Sequence, residues 1–149
     1  VPVEAKITGH YTNSNLASSD AKARGFDEAL LTDINGNVAE GPGANFFFEK
    51  DGQLFTCPKG NILPGITRQT VLEMAREMHI TVEESWFTPE EVHNADGAFF
   101  TGTAIEIAGI SSLDRVQFKL QWEDTIGYQL SKMYRRRVSQ NEFARFDLV

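Results

Sequence analysis

At 149 residues, with 41% hydrophobic and 23% charged residues, the chain has the size and composition of one globular domain with a sizeable buried core. Its formal charge of -7 argues against a nucleic-acid-binding protein, whose phosphate contacts need clustered cations, and no apolar run approaches the ~20 residues that span a membrane. The single cysteine, Cys57, excludes an internal disulfide and a multi-cysteine metal site, and it is compatible with a reducing cytoplasm.

The N-terminal part of the chain predicts an extended segment followed by a helix. In residues 2–8, Lys6 stands between short apolar neighbours. This pattern suits a strand that turns its amine into a closed site, and it also suits a solvated surface lysine. The polar residues 12–15 are N-cap candidates for the helix, and Gly25 is placed to end it.

Two β-hairpins are predicted next, with tight turns at Asn35-Gly36 and at Asp51-Gly52. Each dipeptide can supply the positive φ that both central residues of a two-residue hairpin turn require. The aromatic residues 46–48, which lead into the second turn, are expected in the core.

Two irregular passages rich in glycine and proline follow the hairpin strands. Gly41-Pro42-Gly43 indicates a sharp bend or a close backbone approach, and Glu40 stands at its edge. Residues 59–65 lead into a helix whose N-terminus is predicted near Thr67. The free backbone N–H groups of Gly65-Ile66-Thr67 suit a phosphate, whereas Thr67 is equally suited to ordinary helix capping.

The second half of the chain alternates strands with helices. The strand that contains Phe99 runs into Thr101-Gly102-Thr103, whose hydroxyls and close backbone fit either an anion site or a tight bend. In chain order, the sequence predicts a strand over residues 80–84, a capping box and short helix at Thr88–Glu91, a buried strand over 98–100, an extended stretch over 105–110, a helix from Trp122 to about Arg137 and a docking tail over 141–149.

A lysine, an acid and two anion-binding loops together fit the needs of pyridoxal 5'-phosphate (PLP). The cofactor needs a lysine that forms a Schiff base and then moves a proton, and Lys6 is the candidate. It also needs a carboxylate that keeps its pyridine nitrogen protonated, and Glu40 is the candidate. Its dianionic phosphate needs several donors, which the loops at Thr67 and Thr103 can supply.

Four passages stand in a fixed order along nearly the whole chain: Lys6 with Tyr11, Glu40–Phe46, Leu63–Arg68 and Thr101–Ile107. Together they resemble the branched-chain amino acid aminotransferases, which are fold-type IV PLP enzymes. The resemblance implies transfer of the amino group of leucine, isoleucine or valine to 2-oxoglutarate through a Schiff base on Lys6.

The resemblance also implies roles for single residues. Glu40 pairs with the pyridine nitrogen, Tyr11 hydrogen-bonds the phenolic oxygen of the cofactor, and the backbone of Thr103 and Ala104 receives the substrate carboxylate. The phosphate is held by Ile66, Thr67 and Thr103. The implied cofactor-binding set is Lys6, Tyr11, Glu40, Leu63, Gly65, Ile66, Thr67, Gly102 and Thr103, and the catalytic residue is Lys6.

The fold that the resemblance implies is α/β (α+β), the large domain of fold-type IV PLP enzymes. It is a partly closed barrel of mostly antiparallel strands flanked by helices. Family members are longer than this chain, so residues 1–149 are expected to be the C-terminal large domain, with the N-terminal domain absent from this chain. The full-length protein is expected to be a cytoplasmic homodimer or higher homo-oligomer, without a metal, nucleic-acid or membrane partner.

Other functions remain open. A D-amino acid aminotransferase or an aminodeoxychorismate lyase shares the fold, although Leu63-Pro64-Gly65 and Thr103-Ala104 favour the branched-chain enzymes. The alternative from another class is a catalytically incompetent PLP-binding fragment. Absorbance from bound PLP without leucine transamination would select that alternative.

Overall fold

The computed structural model of the chain describes residues 11–144, and side chains as far as residue 140. Lys6 and the last five residues therefore lie outside the described residues. The helices and strands in the described part are α1 (Thr12–Ala23), β1 (Glu40–Gly41), β2 (Ala44–Lys50), β3 (Gln53–Thr56), α2 (Ile66–Glu77), β4 (Val82–Glu84), α3 (Pro89–His93), β5 (Gly97–Gly102), β6 (Glu106–Ile110), β7 (Ser112–Leu113), β8 (Val116–Gln117) and α4 (Ile126–Ala144).

The main sheet has the strand order β4-β3-β2-β5-β6, and β1 pairs with β2. Strands β3 and β4 run parallel, and the other paired strands of this sheet run antiparallel. The predicted α/β domain of mostly antiparallel strands flanked by helices is therefore confirmed. Within the described residues the sheet stays open, with β4 and β6 at its two edges.

The two faces of the central strands carry separate cores, because successive side chains of a strand point to opposite faces. Phe46 and Phe48 pack with residues of the loops and of α3 on one face. Phe47 stacks on Phe99 at a ring-centroid distance of 5.0 Å on the other face, where residues of α2 and α4 cover them. The expectation that the aromatic strands form the core is confirmed.

The two predicted hairpin turns differ in the structure. Asp51 and Gly52 have φ values of 50° and 77°, so this turn is the predicted one. Asn35 keeps a negative φ and only Gly36 is positive, at 84°, so the prediction for that turn is wrong. The Asp33 carboxylate accepts the backbone N–H groups of Asn35 and Asn37, both at 2.9 Å, and imposes a wider turn.

The start of α1 and the end of α4 also differ from the predicted boundaries. The N-cap residue of α1 is Tyr11, so the candidates 12–15 form its first turn instead. Helix α4 passes the predicted end at Arg137 and continues to Ala144, because no glycine or proline interrupts the sequence there. The residues 141–144, predicted as part of a tail, are helical.

Candidate functional site

Three side chains form a row across β1, β2 and β5 on the face that the helices cover. Glu40 is the register partner of Asn45, and Asn45 is the partner of Thr101. Directly paired residues share a face, and this row lies beside Phe47 and Phe99 of the helix-side core. Glu40, at one end of this row, accepts the N–H of Leu63 and so lies next to the loop that precedes α2.

Asn45 connects this row to the loop that precedes α2. Its Nδ2 donates to Glu40 Oε2 at 3.1 Å and to the Leu63 carbonyl at 2.7 Å, and its Oδ1 accepts the Gly65 N–H at 3.2 Å. Asn45 is only 4% exposed, so these bonds are made out of contact with bulk water. The single buried amide fixes Glu40, Leu63 and Gly65 relative to one another.

Gly65 is required by this arrangement. A Cβ at this position would lie 2.6 Å from Asn45 Oδ1, which is closer than real side-chain contacts allow. A larger residue would force either the loop or the Asn45 amide to move, which would disturb the bond between them. Gly65 was predicted as part of an anion-binding loop. It is also the residue through which this loop contacts the sheet.

The carboxylate of Glu40 is half-buried, and none of the ion pairs among residues 11–140 involves it. Burial raises the pKa of Glu40 to about 7, against an ordinary value of 4.5, and the hydrogen bond from the Leu63 backbone opposes that rise. The Leu63 N–H and the Asn45 amide both donate to the same oxygen, Oε2. The hydrogen bonds of the described residues leave Oε1 unengaged, so this oxygen is available to a further donor, and a positively charged donor would favour the ionised acid.

Helix α2 begins without a side-chain cap. Its N-cap residue is Gly65, and Thr67 stands two positions inside the helix, so the ordinary capping role considered for Thr67 is not observed. The first backbone N–H groups of a helix have no intrahelical partners and carry a partial positive charge. Thr67 and Arg68 are buried, and Arg68 donates to the Cys57 carbonyl at 3.1 Å, which holds this turn in place. The helix N-terminus has the chemistry of an anion site.

The loop after β5 meets the glycine-rich loop after β1. A Cβ on Gly102 would lie 3.2 Å from the Gly43 carbonyl oxygen and 3.8 Å from the Cβ of Ala44. Thr103 and Ala104 are exposed beyond this contact. Thr101 is 1% exposed, and its hydroxyl has no hydrogen-bond partner among the described residues. Two of the three predicted loops are therefore in contact, with a buried hydroxyl next to them.

The structure brings together five of the residues predicted for the site. Glu40, Leu63 and Gly65 are joined through Asn45, and Ile66 and Thr67 follow Gly65 directly in α2. Tyr11 is half-buried at the start of α1, and no described hydrogen bond joins its hydroxyl to Glu40 or Asn45. Lys6 lies outside the described residues, so its predicted role stays a prediction.

Asn45 is the residue that the sequence analysis missed. It lies within the passage Glu40–Phe46, where no chemical role was predicted for it. A signal was available, because Asn45 begins an apolar run, Asn45-Phe46-Phe47-Phe48, in which one buried amide needs partners. Its partners lie 5 to 20 positions away in the sequence and cannot be read from local spacing.

Residues 1–113 match the family model for the amino-transferase class IV proteins. The chain belongs to the class IV aminotransferase family. It is 39% identical over 140 residues to a probable branched-chain-amino-acid aminotransferase of Rickettsia felis, and 42% identical over 118 residues to the branched-chain-amino-acid aminotransferase of Escherichia coli strain K12. These alignments cover 93% and 78% of this chain, but only 48% and 38% of the relatives.

Solved structures of this family have the same fold. The PLP form of the branched-chain amino acid aminotransferase from Thermobaculum terrenum matches with a TM-score of 0.92 and 40% identity, over 97% of this chain and 48% of that one. The enzyme from Thermoproteus uzoniensis, solved with norvaline, matches with a TM-score of 0.86 and 42% identity, over 91% of this chain and 45% of that one. The resemblance drawn from the four sequence passages is thereby confirmed at the level of the family and the fold.

The part of the chain that the structure describes has neither a membrane-spanning helix nor a metal-binding cluster. No helix among the described residues is long and apolar enough to cross a membrane. No cluster of histidine, cysteine, aspartate and glutamate side chains in the same part of the chain is arranged to hold a metal ion.

The Asn45→Ala variant is expected to lose about 2–4 kcal/mol of unfolding free energy, because a buried amide is removed and its partners lose their hydrogen bonds. Asn61→Ala is the matched control, since the exposed Asn61 amide donates to Asp33 Oδ2 at 3.2 Å, and it should cost about 0.5 kcal/mol or less. Urea unfolding measures both. Equal losses in the two variants would contradict the central role of Asn45.

The raised pKa of Glu40 predicts a pH dependence of stability. With a folded pKa of about 7 against 4.5, the folded chain binds this proton more tightly than the unfolded chain. The contribution to stability is therefore complete below about pH 4.5 and is lost as the pH rises through about 7. Between about pH 5 and pH 8 the wild type should lose about 1–2 kcal/mol more unfolding free energy than Glu40→Gln. Identical pH profiles would show that Glu40 titrates normally.

Proposed function

We propose that this chain is the cofactor-binding part of a PLP-dependent branched-chain aminotransferase. Its substrates are leucine, isoleucine or valine as amino donor and 2-oxoglutarate as acceptor. The observation that carries the proposal is the arrangement around Asn45, which holds the Glu40 carboxylate beside the N-terminus of α2. Among the described residues, one oxygen of this carboxylate has no hydrogen-bond partner and the helix has no side-chain cap. An acid and an anion site at this spacing suit the two charged ends of PLP.

The residues of the site fit the cofactor at both of these ends. Oε1 of Glu40, which no described residue engages, would accept the pyridine N–H, and the positive charge of the ring would stabilise the ionised carboxylate. The N–H groups at Ile66 and Thr67, with the Thr67 and Thr103 hydroxyls, would receive the phosphate. Bound PLP supplies an electron sink for the bonds to the substrate α-carbon.

The remaining roles follow from the family. Lys6 would carry the cofactor and move the substrate α-proton with its Nζ. Tyr11 would donate to the phenolic oxygen of the cofactor. Leu63, Gly65 and Gly102 would line the cofactor, and the backbone of Thr103 and Ala104 would receive the substrate carboxylate. Support for the roles of Leu63, Gly65 and Gly102 is their position, because Leu63 and Gly65 contact Asn45 and Gly102 lies against Gly43. The roles of Lys6 and Tyr11 rest on the family match.

The proposal includes a two-domain architecture for the working enzyme. The chain spans less than half the length of the relatives it matches, and Ile66 and Ile105 are 82% and 43% exposed beside the proposed site. Apolar side chains in such positions suit cover by further protein. We place this chain as the C-terminal large domain of a cytoplasmic homo-oligomer, with the N-terminal domain closing the substrate pocket.

Replacement of Lys6 by alanine tests the proposal. Wild-type chain mixed with PLP should gain a visible absorbance band, and mass spectrometry after borohydride reduction should place the pyridoxyl group on Lys6. Lys6→Ala should lose the band and the label, whereas Lys59→Ala, which changes an exposed lysine, should keep both. A label on another lysine would refute the assignment.

Activity measurements then distinguish the possible functions of the chain. Amino transfer from L-leucine to 2-oxoglutarate is measured with the chain alone and with the chain joined to the N-terminal half of a relative. Activity in the joined form supports the proposal. Activity on D-amino acids alone would instead select a D-amino acid aminotransferase. PLP binding without activity in either form would select a binding fragment.

A further inference from the structure

Glu106 has an unusual backbone conformation at the end of the loop that carries Thr103 and Ala104. Its φ is 57°, in the left-handed region that favours glycine. The β5–β6 hairpin pairs Gly102 with Glu106, so residues 103–105 form a three-residue turn. In hairpins of this length the residue that follows the turn commonly takes a left-handed conformation and is commonly glycine. Here a glutamate occupies that position.

The side chain of Glu106 connects the turn to α4. Its Oε2 lies 3.7 Å from Nε of Arg135, on the helix that packs against β6. The side chains of Arg135 and Glu106 are 70% and 41% exposed, and ion pairs this exposed contribute little to stability. The left-handed backbone of a residue with a Cβ is unfavourable by a larger amount. Glycine at position 106 would therefore make the chain more stable.

Because Glu106 lowers the stability of the chain, stability does not explain why a glutamate occupies this position at the edge of the candidate site. Glycine populates a broad range of backbone angles, whereas a residue with a side chain is confined to a narrow left-handed region. Glu106 therefore restricts the turn through its backbone, and its carboxylate lies beside Arg135 of α4. Within the turn, the Ile105 side chain lies over Gly102, where an added Cβ would be 3.3 Å from its Cγ1.

We propose that Glu106 is a positioning residue that holds the turn 103–105 in one conformation, at the expense of stability. The inference rests on the proposed function, in which Thr103 contacts the cofactor phosphate and the backbone of Thr103 and Ala104 receives the substrate carboxylate. A turn that is already ordered spares the entropy of ordering it when an anion binds. Glu106 contacts neither ligand in this account and acts through the turn.

The test compares Glu106→Gly with a matched control, His79→Gly. His79 has a φ of 56° at the C-terminal end of α2, where it occupies the position that glycine favours in a helix C-cap, and this is the opposite end of α2 from Gly65. Relief of backbone strain should raise the melting temperature by about 2–4 °C in each variant. The two substitutions are thus similar in their effect on the backbone and differ in their location.

The variants should differ in the turn itself. Backbone order parameters from NMR relaxation should be about 0.85 for residues 103–105 in the wild type and in His79→Gly, and should fall below about 0.6 in Glu106→Gly. The dissociation constant for PLP, measured by absorbance titration, should rise about fivefold or more in Glu106→Gly alone, because one or more residues must then be ordered on binding.

The outcomes separate this inference from the proposed function. A wild-type chain that binds no PLP would refute the proposed function, and the order parameters would still decide whether Glu106 orders the turn. If Glu106→Gly leaves the turn ordered, or lowers the melting temperature, the positioning role is wrong. If it loosens the turn but leaves PLP affinity equal to that of His79→Gly, the link between the turn and the cofactor is wrong.

Discussion

The candidate site depends on the three hydrogen bonds of the buried Asn45 amide. The amide donates to a carboxylate on β1 and to a carbonyl of the loop before α2, and it accepts from the backbone at the start of α2. Since these partners come from separate elements, no local preference of the chain would hold them together. A buried amide is costly unless its partners are all present, and this cost makes the arrangement specific.

The hydrogen bonds of Asn45 determine the electrostatics as well as the shape of the site. They hold Glu40 in partial burial, and this burial raises the pKa of the acid to about 7. They also hold α2 by Gly65, so that the helix presents uncapped N–H groups next to this acid. The site therefore has one end that attracts a cationic donor and one end that attracts an anion, in a protein whose formal charge is -7.

Local sequence signals were sufficient to predict much of the fold. The Asp51-Gly52 turn and the capping box at Thr88 follow from a few adjacent residues and were predicted correctly. The turn at Asn35 was not, because the Asp33 side chain competes for the backbone N–H groups of the turn. Asn45 and Glu106 escaped prediction for a different reason. Their roles depend on strand register and on a helix distant in sequence, which only the folded chain defines.

A double-mutant cycle between Glu40→Gln and Asn45→Ala tests the central claim most directly. The free energy of unfolding is measured for the wild type, both single variants and the double variant at one pH. If Asn45 and Glu40 form one connected unit, the double variant should differ from the sum of the single losses by about 1 kcal/mol or more. Losses that add to within about 0.3 kcal/mol would show that the two residues act independently, and the account of a site organised by Asn45 would be wrong.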